Sequence, residues 1–147
     1  MSETKPRIWK QPTTVAAINA QADNTLAGTL GMAVTELGDD FIRGTMPVDA
    51  RTMQPYGLLH GGASVALAET LGSVAANLCL DPATHMAVGL EINANHLRAV
   101  RSGSVTGTAR PLHIGRQTQV WEIRIADERG RAVCVSRLTL AVVERPR

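Results

Sequence analysis

The sequence predicts an α+β domain in which one antiparallel sheet of about six strands wraps around a single long central helix. Three observations carry this. A run of small apolar residues from Gly61 to Cys79 has the length of a helix and is apolar nearly all round, so it belongs inside the molecule. Two short strand patterns precede it. Four longer ones follow, with turn residues between them, and short turns join antiparallel neighbours.

Residues 1–12 read as a loose N-terminal tail of a single domain spanning 1–147, with Trp9 tucked onto the body. Thr13 or Thr14 caps a short helix carrying Val15, Ala16, Ile18 and Asn19. The stretches 31–36 and 41–48 form a hairpin across Gly38-Asp39-Asp40. A loop over 49–60 leads into the helix at 61–79, which ends near Asp81-Pro82. The stretches 86–95, 104–112, 117–126 and 132–143 then read as a four-strand meander. Trp121, Ile123 and Ile125 alternate with Val120, Glu122 and Arg124 in the clearest of them. Within the helix Ala63, Ala66, Ala68, Gly72, Ala75 and Ala76 keep the cross-section thin, while Leu67, Leu71, Val74 and Leu78 supply apolar bulk. A curled sheet leaves an edge strand open, and an open edge invites a second copy, so a homodimer is expected.

Composition narrows the function. The net charge of +2 and pI near 8.8 are mild, the basic residues are scattered, and aromatics make up 3% of the chain. Nucleic acid is therefore not an expected partner. The most apolar window, 63–80, is interrupted by Ser64, Glu69, Thr70, Ser73 and Asn77, so no membrane span is predicted. The polar N-terminus lacks a signal-peptide core, and Cys79 and Cys134 read as two reduced core thiols, which suits a cytoplasmic protein. No metal is expected: no HExxH or His/Asp cluster occurs, and neither a Ser-His-Asp triad nor a phosphate-cradling loop is present.

The chemistry concentrates in Gln54-Pro-Tyr-Gly-Leu-Leu-His60-Gly61-Gly62 and the helix that follows. A helix N-terminus offers unpaired N–H groups to an oxygen gaining negative charge. Glu69 is a lone carboxylate in an apolar helix, which is costly unless it has a purpose. Together they supply the oxyanion donor and the acid/base group that acyl transfer needs, and the reading is thioester hydrolysis. Ser73 follows Glu69 by one helical turn and can bond the carboxylate or an attacking water, while the Gln54 amide can hold a water or carbonyl. Taken singly, each feature has a plainer explanation: a carboxylate at a wet interface, a histidine cap, a tight glycine turn. His85, His96 and His113 read as surface or structural.

Helix rise makes an architectural demand. Gly61 and Glu69 stand eight residues apart, roughly 12 Å along the axis. A base must lie within about 3 Å of its target or one water away. If both act on one carbonyl, Gly61 comes from one chain and Glu69 from another, with two long helices antiparallel and side by side.

These residues carry a resemblance. Gln54 to Ser64 with Ala68-Glu69-Thr-Leu-Gly-Ser73 resembles the hotdog-fold, PaaI-like acyl-CoA thioesterases, and Gly89–His96 and Pro111–Ile123 extend the likeness over roughly residues 8–143. The closest branch is the one holding the 1,4-dihydroxy-2-naphthoyl-CoA thioesterases and enterobactin proofreading thioesterases. The resemblance implies dimers joined into a continuous sheet, usually paired into tetramers. It implies Glu69 as base or nucleophile, the Gly61 N–H as carbonyl donor, Gln54 and His60 flanking that carbonyl, and Ser73 orienting water or carboxylate. Gly62 and His96 would contact the substrate, His96 near the pantetheine arm, with Arg98, Arg101 and Arg116 as phosphate-binding candidates. No cofactor is implied, since coenzyme A belongs to the substrate. Three other readings stand beside acyl-CoA hydrolysis: proofreading on a carrier protein, a hotdog hydratase or dehydratase using His60, and a non-catalytic acyl-CoA sensor.

Overall fold

The computed structural model describes residues 6–147. Its elements run α1 (Val15–Ala20), α2 (Leu26–Thr29), β1 (Ala33–Leu37), β2 (Ile42–Pro47), α3 (Gly61–Leu78), β3 (His85–His96), β4 (Ser104–Ile114), β5 (Thr118–Ala126) and β6 (Ala132–Glu144). The six strands form one antiparallel sheet in the order β1-β2-β4-β5-β6-β3, and α3 packs against five of them. Strand and helix bounds lie close to those predicted because the period-2 and apolar patterns are strong: β2 and β5 bury alternate residues, with Trp121, Ile123 and Ile125 fully inside.

The order corrects the meander. Only β4, β5 and β6 are consecutive neighbours; β3 pairs with β6 at the far edge, and β4 pairs with β2. The link over 97–103 steps across the end of the sheet past two strands, roughly 14 Å, which a seven-residue segment spans easily. Strand periodicity marks where a strand is, not which strand lies beside it.

The N-terminal segment is also firmer than a loose tail. Residues 1–5 lie outside the described residues, but from Ile8 onward the chain is anchored. Ile8 N–H donates to Asp39 O at 3.0 Å and Lys10 N–H to Leu78 O at 2.8 Å, while the Gln11 amide donates to Asn77 O and Leu80 O. Trp9 stacks on Trp121 with ring centroids 6.3 Å apart and donates its indole N–H to Gly38 O. Thr14 caps α1 by accepting from Ala17 N–H. The four-residue α2 is too short to carry a helical period in the sequence.

Two features set α3 in place. Leu71 inserts between Gly44 and Gly107, where any Cβ would meet its methyls at 2.9 and 2.8 Å, so the glycines admit the helix to the sheet. At the other end fully buried Gln119 accepts from the Trp121 indole at 2.8 Å and donates to Ala76 O at 3.3 Å, satisfying both amide ends. One stripe of α3, carrying Gly62, Val65, Ala66, Glu69 and Ser73, stays half-buried or exposed. Beside it β3 presents an unpaired edge with Val88 and Leu90 exposed.

Candidate active site

The loop before α3 is held by its own hydrogen bonds. Thr52 Oγ1 donates to Pro47 O at 2.7 Å, and His60 N–H donates to Thr52 O at 2.8 Å. Gly57, at φ 74°, closes the turn after Gln54, and the Gln54 side-chain oxygen accepts from Tyr56 N–H. That leaves the Gln54 NH₂ as the end free to donate.

His60 is the N-cap of α3. Its Nδ1 accepts from Gly62 N–H at 2.8 Å, and its carbonyl accepts from Ala63 and Ser64. Two consequences follow. The imidazole lone pair on Nδ1 is spent, so in the neutral ring the proton sits on Nε2 and the exposed ring is a donor. Of the N–H groups opening the helix, only that of Gly61 lacks an acceptor among the described residues; the Gly62 N–H is already engaged.

Glu69 is half-buried on the open stripe of α3 and accepts no hydrogen bond from any described residue. Its carboxylate rests on Gly89 of β3, where a Cβ would stand 2.6 Å from Oε1. Gly61 lies against His96, at 3.0 Å by the same measure from Nε2. Gly89 and His96 are seven residues apart on one strand, roughly 20 Å. Within one chain, the free N–H and the free carboxylate therefore occupy different places along the β3 edge.

Ser73 makes no hydrogen bond to Glu69; its carbonyl accepts from Asn77 Nδ2 at 2.9 Å. With Thr70 it borders a cavity of about 510 Å³ between α3 and the α1–α2 segment, whose apolar walls include Ile18, Val34, Leu67 and Leu71. Sequence reading missed this wall. Its signal is Asn19, whose amide pairs with both the N–H and the C=O of Val34, each at 2.8 Å, and so fixes α1 on β1. Arg98 and Arg101 lie in the 97–103 link, which reaches the α3 entry through the Leu59 N–H bond to Val100 O. Arg116 sits in the β4–β5 turn, beyond the row that joins Ile114 to Gly89, at the opposite end of the sheet. The three arginines do not converge within one chain. Among the described residues no cluster of His, Cys, Asp and Glu could hold a metal, and no helix is long and apolar enough to cross a membrane.

Residues 56–134 match the family model of the thioesterase superfamily. The chain belongs to that superfamily. It is 53% identical over 136 residues to the 1,4-dihydroxy-2-naphthoyl-CoA hydrolase of Escherichia coli, covering 92% of this chain and 99% of that one. It is 56% identical over 136 residues to the proofreading thioesterase EntH of Cronobacter turicensis, covering 92% and 98%. The crystal structure of a thioesterase from Haemophilus influenzae superposes with a TM-score of 0.91 at 52% identity, covering 93% of this chain and 95% of that one. The six-stranded sheet on one helix is thus the hotdog thioesterase fold, and this thioesterase is a hydrolase.

Proposed function

We propose that this thioesterase hydrolyses an acyl-CoA carrying an aromatic or other small acyl group to the free acid and CoA, at sites shared between two subunits. One observation carries the reading: an unclaimed helix N-terminal N–H and an unclaimed carboxylate both face the open side of α3, yet too far apart to serve one carbonyl within a chain. In a two-fold dimer with antiparallel helices, Gly61 of one subunit comes beside Glu69 of the other. The Gly61 N–H then takes the thioester oxygen as it gains charge, with the Gln54 NH₂ and His60 Nε2–H beside it. Glu69 either takes a proton from a water that attacks the carbonyl carbon, or attacks that carbon itself to give an anhydride that water then hydrolyses; in both routes the C–S bond breaks, the acid is released and CoA leaves as the thiol with a proton from the water. Ser73 orients the water or carboxylate, and the cavity bordered by Thr70 and Ser73 takes the acyl group. Gly62, His96, Arg98 and Arg101 lie on the CoA side, with Arg116 a more remote phosphate contact. Dimers pair into tetramers, and the enzyme works without a cofactor in the cytoplasm, where its two free cysteines stay reduced.

A second reading, removal of wrong acyl groups from a carrier protein, is favoured by the 56% identity to an enzyme named for proofreading. Paired rate measurements on one acyl group, attached to CoA and to a carrier, decide between them. Hydratase chemistry fits less well, because a histidine base needs the lone pair that His60 gives to Gly62.

The test is Glu69→Gln, assayed by thiol release across a panel of acyl-CoAs. Loss of the base or nucleophile lowers kcat by about 10²–10⁴-fold with KM little changed. A variant keeping more than about a tenth of wild-type kcat contradicts the role of Glu69.

A further inference from the structure

Asn77, in the last turn of α3, uses its side chain to join the helix to the sheet. Its side-chain oxygen accepts from Ala87 N–H at 2.9 Å, and its amide donates to Ala87 O at 3.3 Å and to Ser73 O at 2.9 Å. Its own carbonyl accepts from the Gln11 amide at 2.8 Å, which ties it to the N-terminal segment as well. Among the described residues no other side chain of α3 bonds to the backbone of the sheet. Ala87 is 7% exposed, so an unpaired N–H or C=O there would be costly, and Asn77 satisfies both.

This pairing stands beside the seat of Glu69. Three contacts of α3 with β3 line up: Gly61 on His96, Glu69 on Gly89 and Asn77 on Ala87. They follow one another at eight-residue intervals of the helix, roughly 12 Å each. The first two are packing contacts, and only the third is held by hydrogen bonds. Gly89 lies two residues from Ala87, roughly 7 Å along the strand. On its other side the ladder with β6 is interrupted: the register shifts between Gly89 and Glu91, with Leu90 as the extra residue. The regular stretch from Glu91 to His96 therefore does not fix where Gly89 stands. Its place is set from the Ala87 side, and Asn77 fixes Ala87 to the helix that carries Glu69.

We propose that Asn77 is a positioning residue for the hydrolysis: it holds the Gly89 step of β3 at a fixed distance from α3 and so sets where the Glu69 carboxylate stands. The inference rests on the reading of Glu69 as base or nucleophile. That carboxylate has no hydrogen-bond partner among the described residues, so its place depends on the wall it packs against, and Gly89 is that wall, too close to admit a single added carbon. Asn77 also borders the cavity beside Thr70 and Ser73, but both its amide hydrogens are already donated, so it acts through Gly89 and not on the acyl group.

Asn77→Ala releases Ala87 from the helix. With thiol release as the assay, kcat falls about tenfold and KM stays within about threefold. Two backgrounds separate positioning from general damage. In Gly89→Ala the added carbon crowds Glu69 Oε1 because β3 cannot yield; with Asn77 also replaced the strand yields instead, so the double variant is no slower than Gly89→Ala alone. In Glu69→Gln there is no carboxylate to place, and Asn77→Ala changes the residual rate by less than about twofold. Losses that multiply in either background overturn the proposal, as does a kcat within about twofold of wild type for Asn77→Ala itself. Should the alanine variant fail to fold, Asn77→Asp keeps the acceptor for Ala87 N–H and loses the donor to Ala87 O; it gives the same pattern with about a threefold loss, and multiplying losses overturn the proposal there too. A Glu69→Gln protein that keeps more than about a tenth of wild-type kcat removes the reading of Glu69 and this proposal with it. An inactive Glu69→Gln beside an unimpaired Asn77→Ala removes the proposal alone.

Discussion

Gly89→Ala tests the placement of the carboxylate proposed as catalytic, Glu69, without altering it. The new methyl carbon would stand 2.6 Å from Glu69 Oε1, where ordinary contact begins near 3.4 Å. The carboxylate must therefore withdraw by about 0.8 Å, and misplacements of roughly 1 Å in a reacting group cost up to about 10²-fold in rate. Because the displaced atom is the free end of a flexible side chain and Gly89 has no positive φ, folding is not penalised. A glycine replaced by alanine in a compatible conformation adds roughly 0.4–1 kcal/mol to stability. The expected result is a kcat lowered about 10–100-fold, with KM within a few-fold and the melting temperature unchanged or slightly raised. Thiol-release kinetics and a thermal melt on one preparation give both numbers. A kcat within about twofold of wild type would refute the argument that Glu69 works from its seat on Gly89.

Two further predictions concern the body of the protein. Trp9→Ala removes the stack on Trp121 and the indole bond to Gly38 O. Buried tryptophans cost about 3–5 kcal/mol on truncation, so half-buried Trp9 should cost about 2, lowering Tm by roughly 4–8 °C; a shift under about 1 °C would mean the N-terminal segment is not anchored as described. Burial pushes the Cys79 thiol up to about 12 despite nearby Lys10, and burial raises Cys134 as well. Neither forms thiolate near pH 8, so a thiol reagent should react with no cysteine in the native protein and with both after unfolding; one fast-reacting native thiol would contradict this.

Most of the architecture is legible in the chain because its patterns are physically strong. Alternation in β5 and the long thin apolar helix leave little choice of element, and an unexplained carboxylate in that helix points to Glu69. The position of β3 was not legible, since the link over 97–103 suits a hairpin and a step across the sheet equally well. Trp9 offered a hint of anchoring, but hydrogen bonds to Asp39 and Leu78 depend on backbone atoms that carry no sequence signal. At the site, His60-Gly61-Gly62 announced an N-terminus with free donors, yet only the fold reveals that His60 consumes the Gly62 N–H and leaves that of Gly61. The contacts of Glu69 with Gly89 and of Gly61 with His96 arise between residues distant in sequence, so the sequence carries only the separation of Gly61 and Glu69 along one helix.

The claim on which the account depends is that Gly61 and Gln54 of one subunit work with Glu69 of another. Mixing Gln54→Ala and Glu69→Gln proteins through unfolding and refolding measures this directly. Each parent alone is expected to be nearly inactive. In a mixed dimer one site joins the intact Gln54 of one chain to the intact Glu69 of the other, and the second site carries both lesions. Random pairing makes about half the dimers mixed, each with one good site of two, so about a quarter of wild-type kcat should return. If each site lay within a single chain, every site would keep a lesion, and activity held at the background of the two parents would contradict the shared site.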